Sequence, residues 1–305
     1  MMGDPVQLDN AHDLEPAAVL QARARAWRRS VFAVTLAQKI DLPKKLHPYL
    51  VALDGPDDPW LERTWESAVG ERHRCEGEGL VSSGAGPHRI GGWLQSSLSP
   101  HDLAKRVGSL MSVNTEASTA AQYQRLADRR ALSLIRHVVG DQRLQSAAAG
   151  IEFWNYLDAR GCLGTIRGAR HAEPTPLRLS RAEWSTFIRG ELLHPTISRW
   201  LGELSARARS NAPIQVPGSE SEGLVFERAI AALARADVAL RQWHKRFATP
   251  ADQCAWAALT LVFPAIDTSR RVNALLEEPA LDGESPMGID AMMSSLMPLC
   301  EEVLP

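Results

Sequence analysis

The stretch RIGGWLQSSLSPHDLAKRVGSLM, residues 89–111, contains a strand signal followed directly by a helix signal. Its first part, Arg89 to Ser97, is typical of a strand that bends at two consecutive glycines. Ser99 fits a helix N-cap, because Pro100 follows at the first helical position and an acidic residue at the third. The apolar residues of this helix recur at offsets of three and four and predict one buried face: Leu103, Ala104, Val107, Leu110 and Met111. The stretch therefore predicts a strand that leads into an amphipathic helix.

The alternation of strands and helices continues on both sides of this stretch. Short apolar runs predict further strands at residues 30–38, 48–54, 80–82, 122–127 and 151–157. Helical patterns lie between them at residues 16–29, 59–68 and 129–139, the last with Asp128 placed as its N-cap. This order predicts an α/β (α+β) lobe with short strands over residues 16–175. Residues 1–15 are expected to form a mobile tail.

After Pro176 the sequence shows helix signals without the alternating strand signals, and an all-helical lobe is predicted over residues 176–305. Ser180 and Glu183 form a capping box that opens a helix running to about Leu193, where Pro195 is expected to interrupt it. Two long helices are predicted at residues 224–247 and 250–276, with a kink or break at Pro264. The segment between the helices, residues 211–223, is rich in proline, glycine and serine and is predicted to be a linker.

Composition excludes several classes of protein. The formal net charge of −2 provides no long-range field for nucleic acid or an anionic membrane. The four cysteines are far apart and form no C-x-x-C pair, which argues against a structural zinc site or a disulfide scaffold. No apolar run is long enough to span a membrane, and residues 1–15 do not resemble a signal peptide. A cytoplasmic protein with no nucleic-acid or membrane partner is the expectation.

The motifs of common enzyme classes are missing from the sequence. It contains neither a Walker loop nor a G-x-S-x-G nucleophile elbow, and no cofactor is predicted. His73, Cys75 and His88 are the nearest candidates for metal ligands, but their spacing matches no common site. The adjacent carboxylates Glu277–Glu278 and Glu301–Glu302 would not face each other on a helix. The sequence therefore favours a binding protein over an enzyme.

Two features suggest surfaces for partners. The first predicted helix carries a basic run with Trp27 in it, interpreted as a solvated face, a protein-docking face or, less readily, a nucleic-acid contact: Arg23, Arg25, Arg28 and Arg29. The chain also has nine tryptophans. Trp93, Trp154 and Trp256 lie in apolar patterns and are interpreted as core. The others on amphipathic helices include candidates for partner contacts, since tryptophan is common at interface hot spots: Trp60, Trp65, Trp184, Trp200 and Trp243.

An ordered set of short motifs runs from Pro48 to Leu163. P-x-L-V-x-L occupies residues 48–53, and G-x-x-x-S at residues 92–96 runs into S-x-x-x-L-A at residues 99–104. The stretch RLADRRAL, residues 125–132, is similar to R-[FYL]-x-D-P-R-V-L, and Gln142 and a G-x-x-x-W segment at residues 150–154 follow. In this order the motifs resemble the adaptor chaperones of type VI secretion systems, the "domain of unknown function 4123" proteins. The resemblance covers roughly the middle third of the chain.

The resemblance implies a non-catalytic adaptor that binds a toxic effector and helps load it onto the VgrG spike protein. It also implies an α/β N-terminal lobe and a helical C-terminal lobe. Arg125, Asp128 and Arg130 map to the best-marked motif, either as an internal ion pair and helix cap or as partner contacts. Trp93 and Trp154 map to the strand motifs. The proline that usually follows the aspartate is Arg129 here, a change expected to affect only the start of the helix.

Two other readings remain open from the sequence alone. An immunity-type or structural protein would bind a toxin without loading it onto a spike. An enzyme with an unrecognised site would show convergent polar groups in a deep pocket.

Overall fold

The computed structural model describes residues 16–36, 47–77, 90–126, 128–170, 173–209, 221–247, 249–278 and 287–301. The predicted tail, the predicted strand at residues 80–82 and residues 211–220 of the predicted linker lie outside these ranges. The described residues form two compact units. The first holds those up to Glu71 and from His88 to Phe187, and the second holds those from Arg72 to Pro87 and from Ile188 onwards.

The first unit combines helices with short strands. Its helices are α1 (Pro16–Trp27), α2 (Pro59–Gly77, which continues past the unit boundary), α3 (Pro100–Leu110), α4 (Arg129–Val139), α5 (Asp141–Ala147) and α6 (Arg181–Ile188). Its strands are β1 (Val31–Ala33), β2 (Tyr49–Val51), β3 (Trp93–Gln95), β4 (Ser112–Thr115), β5 (Ser118–Tyr123), β6 (Phe153–Leu157), β7 (Leu163–Ile166) and β8 (Arg178–Leu179). The second unit is helical in its described residues, so the predicted fold class is confirmed.

The strands of the first unit form three small sheets. Strands β1 and β2 pair antiparallel, and β6 lies between β3 and β7 in an antiparallel three-stranded sheet. The third sheet has the order β5-β4-β8, in which β8 runs parallel to β4. The core of this unit contains fully buried side chains from α4, from β6 and from neighbouring segments, which include Leu126, Leu132, Ile135, Ile151 and Tyr156.

Two capped helices of the first unit begin where the sequence predicts. The Ser99 hydroxyl accepts a hydrogen bond from the Asp102 N–H (3.2 Å) at the start of α3. Asp128 caps α4, and Gly140, at φ +77°, ends that helix and separates it from α5. The carboxylate of Asp141, the first residue of α5, accepts a hydrogen bond from Arg136 (2.6 Å), which also donates to the buried Tyr156 hydroxyl (3.1 Å). Arg136 thus joins both helices to strand β6.

Several elements of the first unit differ from the prediction. The strand expected at residues 122–127 is β5, which ends at Tyr123, and its partner β4 was not predicted. Thr115 pairs with Ser118 across a turn of only two residues, Glu116 and Ala117, which carries none of the usual hairpin residues. Helix α2 runs nine residues past its predicted end at residue 68. Helix α5 and strands β7 and β8 are short and were also missed.

The second unit contains α7 (Gly190–Arg209), α8 (Glu222–Gln242), α9 (Pro250–Val262), α10 (Arg270–Glu277) and α11 (Met293–Glu301). Short 3₁₀ turns lie at His244–Arg246 and Ile266–Thr268. Helices α7, α8 and α9 pack together through small and aromatic residues that are almost fully buried, including Ala229, Ala236, Ala255 and Trp256. Alanine at these positions lets neighbouring helix backbones approach closely.

Proline acts differently at two places in this unit. The helix was expected to break at Pro195, but this prediction is wrong: the break lies at Arg189, and Pro195 is inside α7. Only one helical hydrogen bond is lost there, and burial of Leu193, Ile197 and Trp200 on both sides of the proline holds the helix. Pro264 does separate α9 from α10, as predicted.

The end of the predicted linker is also corrected. The Ser221 hydroxyl accepts a hydrogen bond from the Leu224 N–H (3.3 Å), so residues 221–223 are the start of α8. Helix α6, which the sequence analysis placed in the C-terminal lobe, packs within the first unit. Across the described ranges, no helix is both long enough and apolar enough to cross a membrane.

Candidate partner-binding surface

The motif stretch at residues 125–132 is built around the Asp128 carboxylate. Its Oδ1 accepts hydrogen bonds from the backbone N–H of Arg130 (3.0 Å) and from Arg130 Nε (3.0 Å), and its Oδ2 accepts from Arg130 Nη2 (2.7 Å). One carboxylate thus caps helix α4 and holds a two-pronged ion pair, in which both side chains are largely shielded from solvent. These contacts assign Asp128 and Arg130 a stabilising role in the start of α4.

The two other arginines of this stretch differ in exposure. Arg125 is exposed, and its carbonyl accepts the Asp128 N–H (2.7 Å) in the turn before the helix. Arg129 is 4% exposed, and its Nη2 donates to the carbonyl of Ala68 on α2 (2.9 Å). Arg129 stands where the similar motif has proline, a change expected to affect only the start of the helix. That expectation is incomplete, because the long side chain extends from the helix start and joins α4 to α2.

Trp93 and Trp154 lie on opposite faces of one sheet. Trp93 pairs with Asn155 across β3 and β6, whereas Trp154 pairs with Leu94, and successive side chains of a strand point to opposite faces. Trp154 is buried in the core, as predicted. Gly92, at φ +145°, makes room for it: a Cβ there would lie 2.7 Å from the Trp154 indole nitrogen. Trp154 therefore supports the sheet from inside, whereas the interpretation of Trp93 as core is wrong, because this side chain is half-buried and faces a groove.

Trp93 forms one wall of an open groove between strand β3 and helix α2. Its indole N–H donates to the Thr64 hydroxyl (2.9 Å), and its ring lies 5.2 Å from that of Trp65, centroid to centroid, with the planes tilted by 32°. The groove has a volume of about 560 Å³ and is lined further by Pro56, Pro59, Leu61, Asn155 and Leu163. Trp65 is 38% exposed and Leu163 56% exposed, so the groove presents large apolar side chains to solvent. We call this feature the Trp65 groove.

The charged residues that line the Trp65 groove are acidic: Asp57, Asp58 and Glu62. Asp57 and Glu62 are exposed, while the Asp58 carboxylate is covered and pairs with the Arg29 guanidinium (2.8 Å). The backbone N–H of Asp54, with that of Trp60 and the Arg29 guanidinium, lowers the pKa of Asp58. The groove therefore carries two carboxylates that face solvent and a third that is neutralised internally.

The basic run on α1 is mostly used inside the first unit. The Arg23 guanidinium lies 4.3 Å from the centre of the Tyr49 ring and is buried, and Trp27 packs against both Tyr49 and Trp60. Arg29 pairs with Asp54 and Asp58. Reading the run as a solvated face is therefore wrong for Arg23 and Arg29, because aromatic rings and carboxylates from elsewhere in the chain cover them. Only Arg25 and Arg28 are exposed.

The other tryptophans and the candidate metal ligands considered from the sequence add no residue to the described lining of the groove. Trp200, Trp243 and Trp256 are buried in the second unit, and Trp184 stacks on Phe187 within the first. The side chains of His73, Cys75 and His88 lie outside the described residues. Within the described part of the chain, no cluster of three or more histidine, cysteine, aspartate or glutamate side chains could hold a metal ion.

Sequence reasoning missed most of the residues that form the Trp65 groove. Leu163 and Asn155 come from strands β7 and β6, and neither stands out in the sequence. Trp65 was recognised only as one of five helical tryptophans. One signal was present: Leu61 and Trp65 are four residues apart and so share a helix face, and three charged residues lie between or beside them, Glu62, Arg63 and Glu66.

The chain was compared with protein-family models, with curated proteins and with solved structures, and none of the three comparisons found a match.

Proposed function

We propose that this chain is a non-catalytic adaptor that binds a type VI secretion effector and helps load it onto the VgrG spike. It acts in the bacterial cytoplasm, before secretion, and needs no cofactor. The observation that carries the proposal is the ordered set of motifs between Pro48 and Leu163, which resembles the adaptor chaperones of these systems.

Two features of the fold support a binding role. The family resemblance implies an α/β lobe followed by a helical lobe, and the chain has an α+β unit followed by a helical one. The Trp65 groove exposes two large apolar side chains, Trp65 and Leu163, beside the exposed acidic residues Asp57 and Glu62 at its rim. Exposed tryptophan in a groove is a common feature of sites that recognise another protein.

The test is a pull-down of the tagged full-length chain from its native bacterium, with partners identified by mass spectrometry and an untagged strain as the control. We expect one large toxin-like protein and a VgrG spike at comparable amounts. A toxin recovered without a spike would favour the immunity-type reading. Failure to recover any stoichiometric partner would contradict the proposal, and a screen for hydrolase activity would then be the next measurement.

A further inference from the structure

We infer that the Trp65 groove binds a segment of a partner protein in which an arginine stands beside an aliphatic residue. This inference rests on the proposed function for the identity of the partner, but its chemistry follows from the groove alone. The occupant is recognised by three properties of the lining: aromatic surface, unbalanced negative charge and an amide side chain.

The aromatic surface suits a guanidinium. Trp65 and Trp93 are in contact with each other, and the 38% exposure of Trp65 leaves part of its ring open to the groove. Arginine stacks its flat guanidinium on tryptophan more readily than lysine places its ammonium there. The chain uses the same contact internally, where Arg23 lies over the Tyr49 ring.

The charge of the lining selects a cation over a neutral side chain. Asp57 and Glu62 are exposed at the rim, and no basic residue lines the groove within the described ranges. Asp58 adds no free charge, because Arg29 already pairs with it. Two rim carboxylates beside an open indole form a complementary environment for one guanidinium.

The remaining lining residues accommodate the rest of the segment. Leu61 and Leu163 provide aliphatic surface for a neighbouring apolar side chain. The Asn155 carboxamide oxygen accepts a hydrogen bond from the Thr165 hydroxyl (2.8 Å), which turns its amide N–H groups away from Thr165. Asn155 lines the groove, and an amide N–H of this side chain can donate to a backbone carbonyl of the bound segment.

The first experiment needs no identified partner. A short blocked peptide of alternating leucine and arginine is titrated into the full chain, and the indole ¹H–¹⁵N signals are followed, with Trp65→Phe and Trp93→Phe spectra providing the assignment. The control peptide carries citrulline, the neutral analogue of arginine. We expect the Trp65 and Trp93 signals to move at about millimolar arginine peptide, the range for a short contact. The citrulline peptide should leave them in place.

Matched variants identify the groove as the site. Asp57→Asn together with Glu62→Gln should weaken the arginine peptide about three- to tenfold, since two charges are lost beside the ring. Glu66→Gln removes an exposed carboxylate from the same helix outside the groove lining and should change nothing. Thermal unfolding midpoints check that each variant is folded. Equal shifts with both peptides, no shift at all, or equal weakening by Glu66→Gln would overturn the inference.

A second experiment separates this inference from the proposed function. The pull-down is repeated with the Asp57→Asn, Glu62→Gln variant, and we expect one partner to be lost or strongly reduced. Recovery of effector and spike at unchanged levels would overturn the inference and leave the adaptor proposal standing. Peptide binding with no secretion partner recovered would support the groove chemistry and contradict the adaptor proposal. The Trp65 signal could instead shift as the protein concentration rises, with no reversal of that shift when peptide is added. That result would show self-association through the groove and overturn the inference.

Discussion

The two units of the molecule use their arginines in different ways. In the first unit, arginines pair with carboxylates at helix starts and turns, as Arg130 does with Asp128 and Arg160 with Asp158. In the second, arginines also donate to carbonyls at or beyond the ends of helices, whereas Arg129 of the first unit donates to a carbonyl within α2. Arg246 donates to the carbonyls of Leu276, Glu278 and Met287, all from its buried guanidinium.

Arg235 shows why the second unit needs such donors. Pro264 has no N–H, so the Thr260 carbonyl, four residues earlier, lacks its helical partner. Arg235 donates to that carbonyl (3.4 Å) and to the Pro264 carbonyl (2.6 Å), and it pairs with Asp267 (2.7 Å). Arginine side chains of the second unit thus satisfy carbonyls that its interrupted helices leave without a partner. The first unit, in contrast, leaves the side chains of the Trp65 groove exposed to solvent. This comparison predicts that replacing an arginine in the second unit lowers the free energy of unfolding most, whereas replacing a groove residue in the first unit mainly weakens binding.

The largest effect is expected from Arg246→Met. The substitution keeps much of the apolar stem but leaves three carbonyls without their donor, which should lower the free energy of unfolding by about 3 kcal/mol or more. Arg241→Met, at an exposed position on α8, is the matched control and should have little effect. Chemical denaturation monitored by circular dichroism measures both. Similar losses in the two variants would contradict the closing role of Arg246.

The next effect contrasts two glycines. A Cβ on Gly164 in β7 would lie 2.6 Å from the ring of the buried Tyr156, so Gly164→Ala should cost about 1–3 kcal/mol through overpacking. A Cβ on Gly202 in α7 meets no atom within 4 Å, so Gly202→Ala should stabilise the chain by up to about 1 kcal/mol. The same denaturation measurement should give opposite signs, and equal signs would break the contrast.

A third prediction separates stabilising from contacting residues in the motif stretch. Asp128→Ala removes the cap and the ion pair of α4 and should cost about 1–2 kcal/mol. Arg125→Ala, at an exposed position, should leave the unfolding free energy nearly unchanged. If Arg125 contacts a partner, Arg125→Ala reduces partner recovery in the pull-down although its free energy of unfolding is unchanged. A large stability loss from Arg125→Ala would show that the stretch acts as one structural piece.

The smallest predicted effect concerns pH. Because hydrogen bonds and Arg29 lower the pKa of Asp58 below its ordinary value of 3.8, ionised Asp58 stabilises the folded state above that pH. The contribution is lost as the pH falls through the lower, folded-state pKa. Asp58→Asn should therefore unfold more readily than the parent at neutral pH and approach it in acid. Unfolding midpoints across this range measure the difference, with the exposed Asp57→Asn as control; a constant gap at every pH would contradict the prediction.

Much of the fold was predictable because local signals agree with the packing. Ser99, Asp128 and the Ser180–Glu183 capping box mark helix starts in the sequence, and the structure has a helix at each. Short elements without such signals were not predictable, as the β4–β5 hairpin shows. The polar residues of β4 form a strand because they pair with β5 and β8, which follow β4 after two and after more than sixty residues.

The candidate binding surface was less predictable than the fold, in part because the sequence does not show which arginines are buried. A buried arginine that donates to distant carbonyls looks the same in sequence as a surface arginine, so Arg129 and Arg246 could not be told from their exposed neighbours. The Trp65 groove joins a helix to strands that are about thirty and ninety residues further along the chain. Of the residues in the family motifs, only Trp93 lies in it, and Trp65 was one of five tryptophans on predicted helices that included candidate partner contacts.

The alternation along β3 and β6 has a consequence for how specificity changes over time. Leu94 and Trp154 lie on the core face, while Trp93 and Asn155 lie on the groove face of the same two strands. Replacing a residue on the groove face leaves the opposite face untouched, so if the groove binds a partner as proposed, selection for a new partner does not have to act on the residues that specify the fold. A sheet of this kind allows rapid divergence of recognition among descendants that retain one architecture.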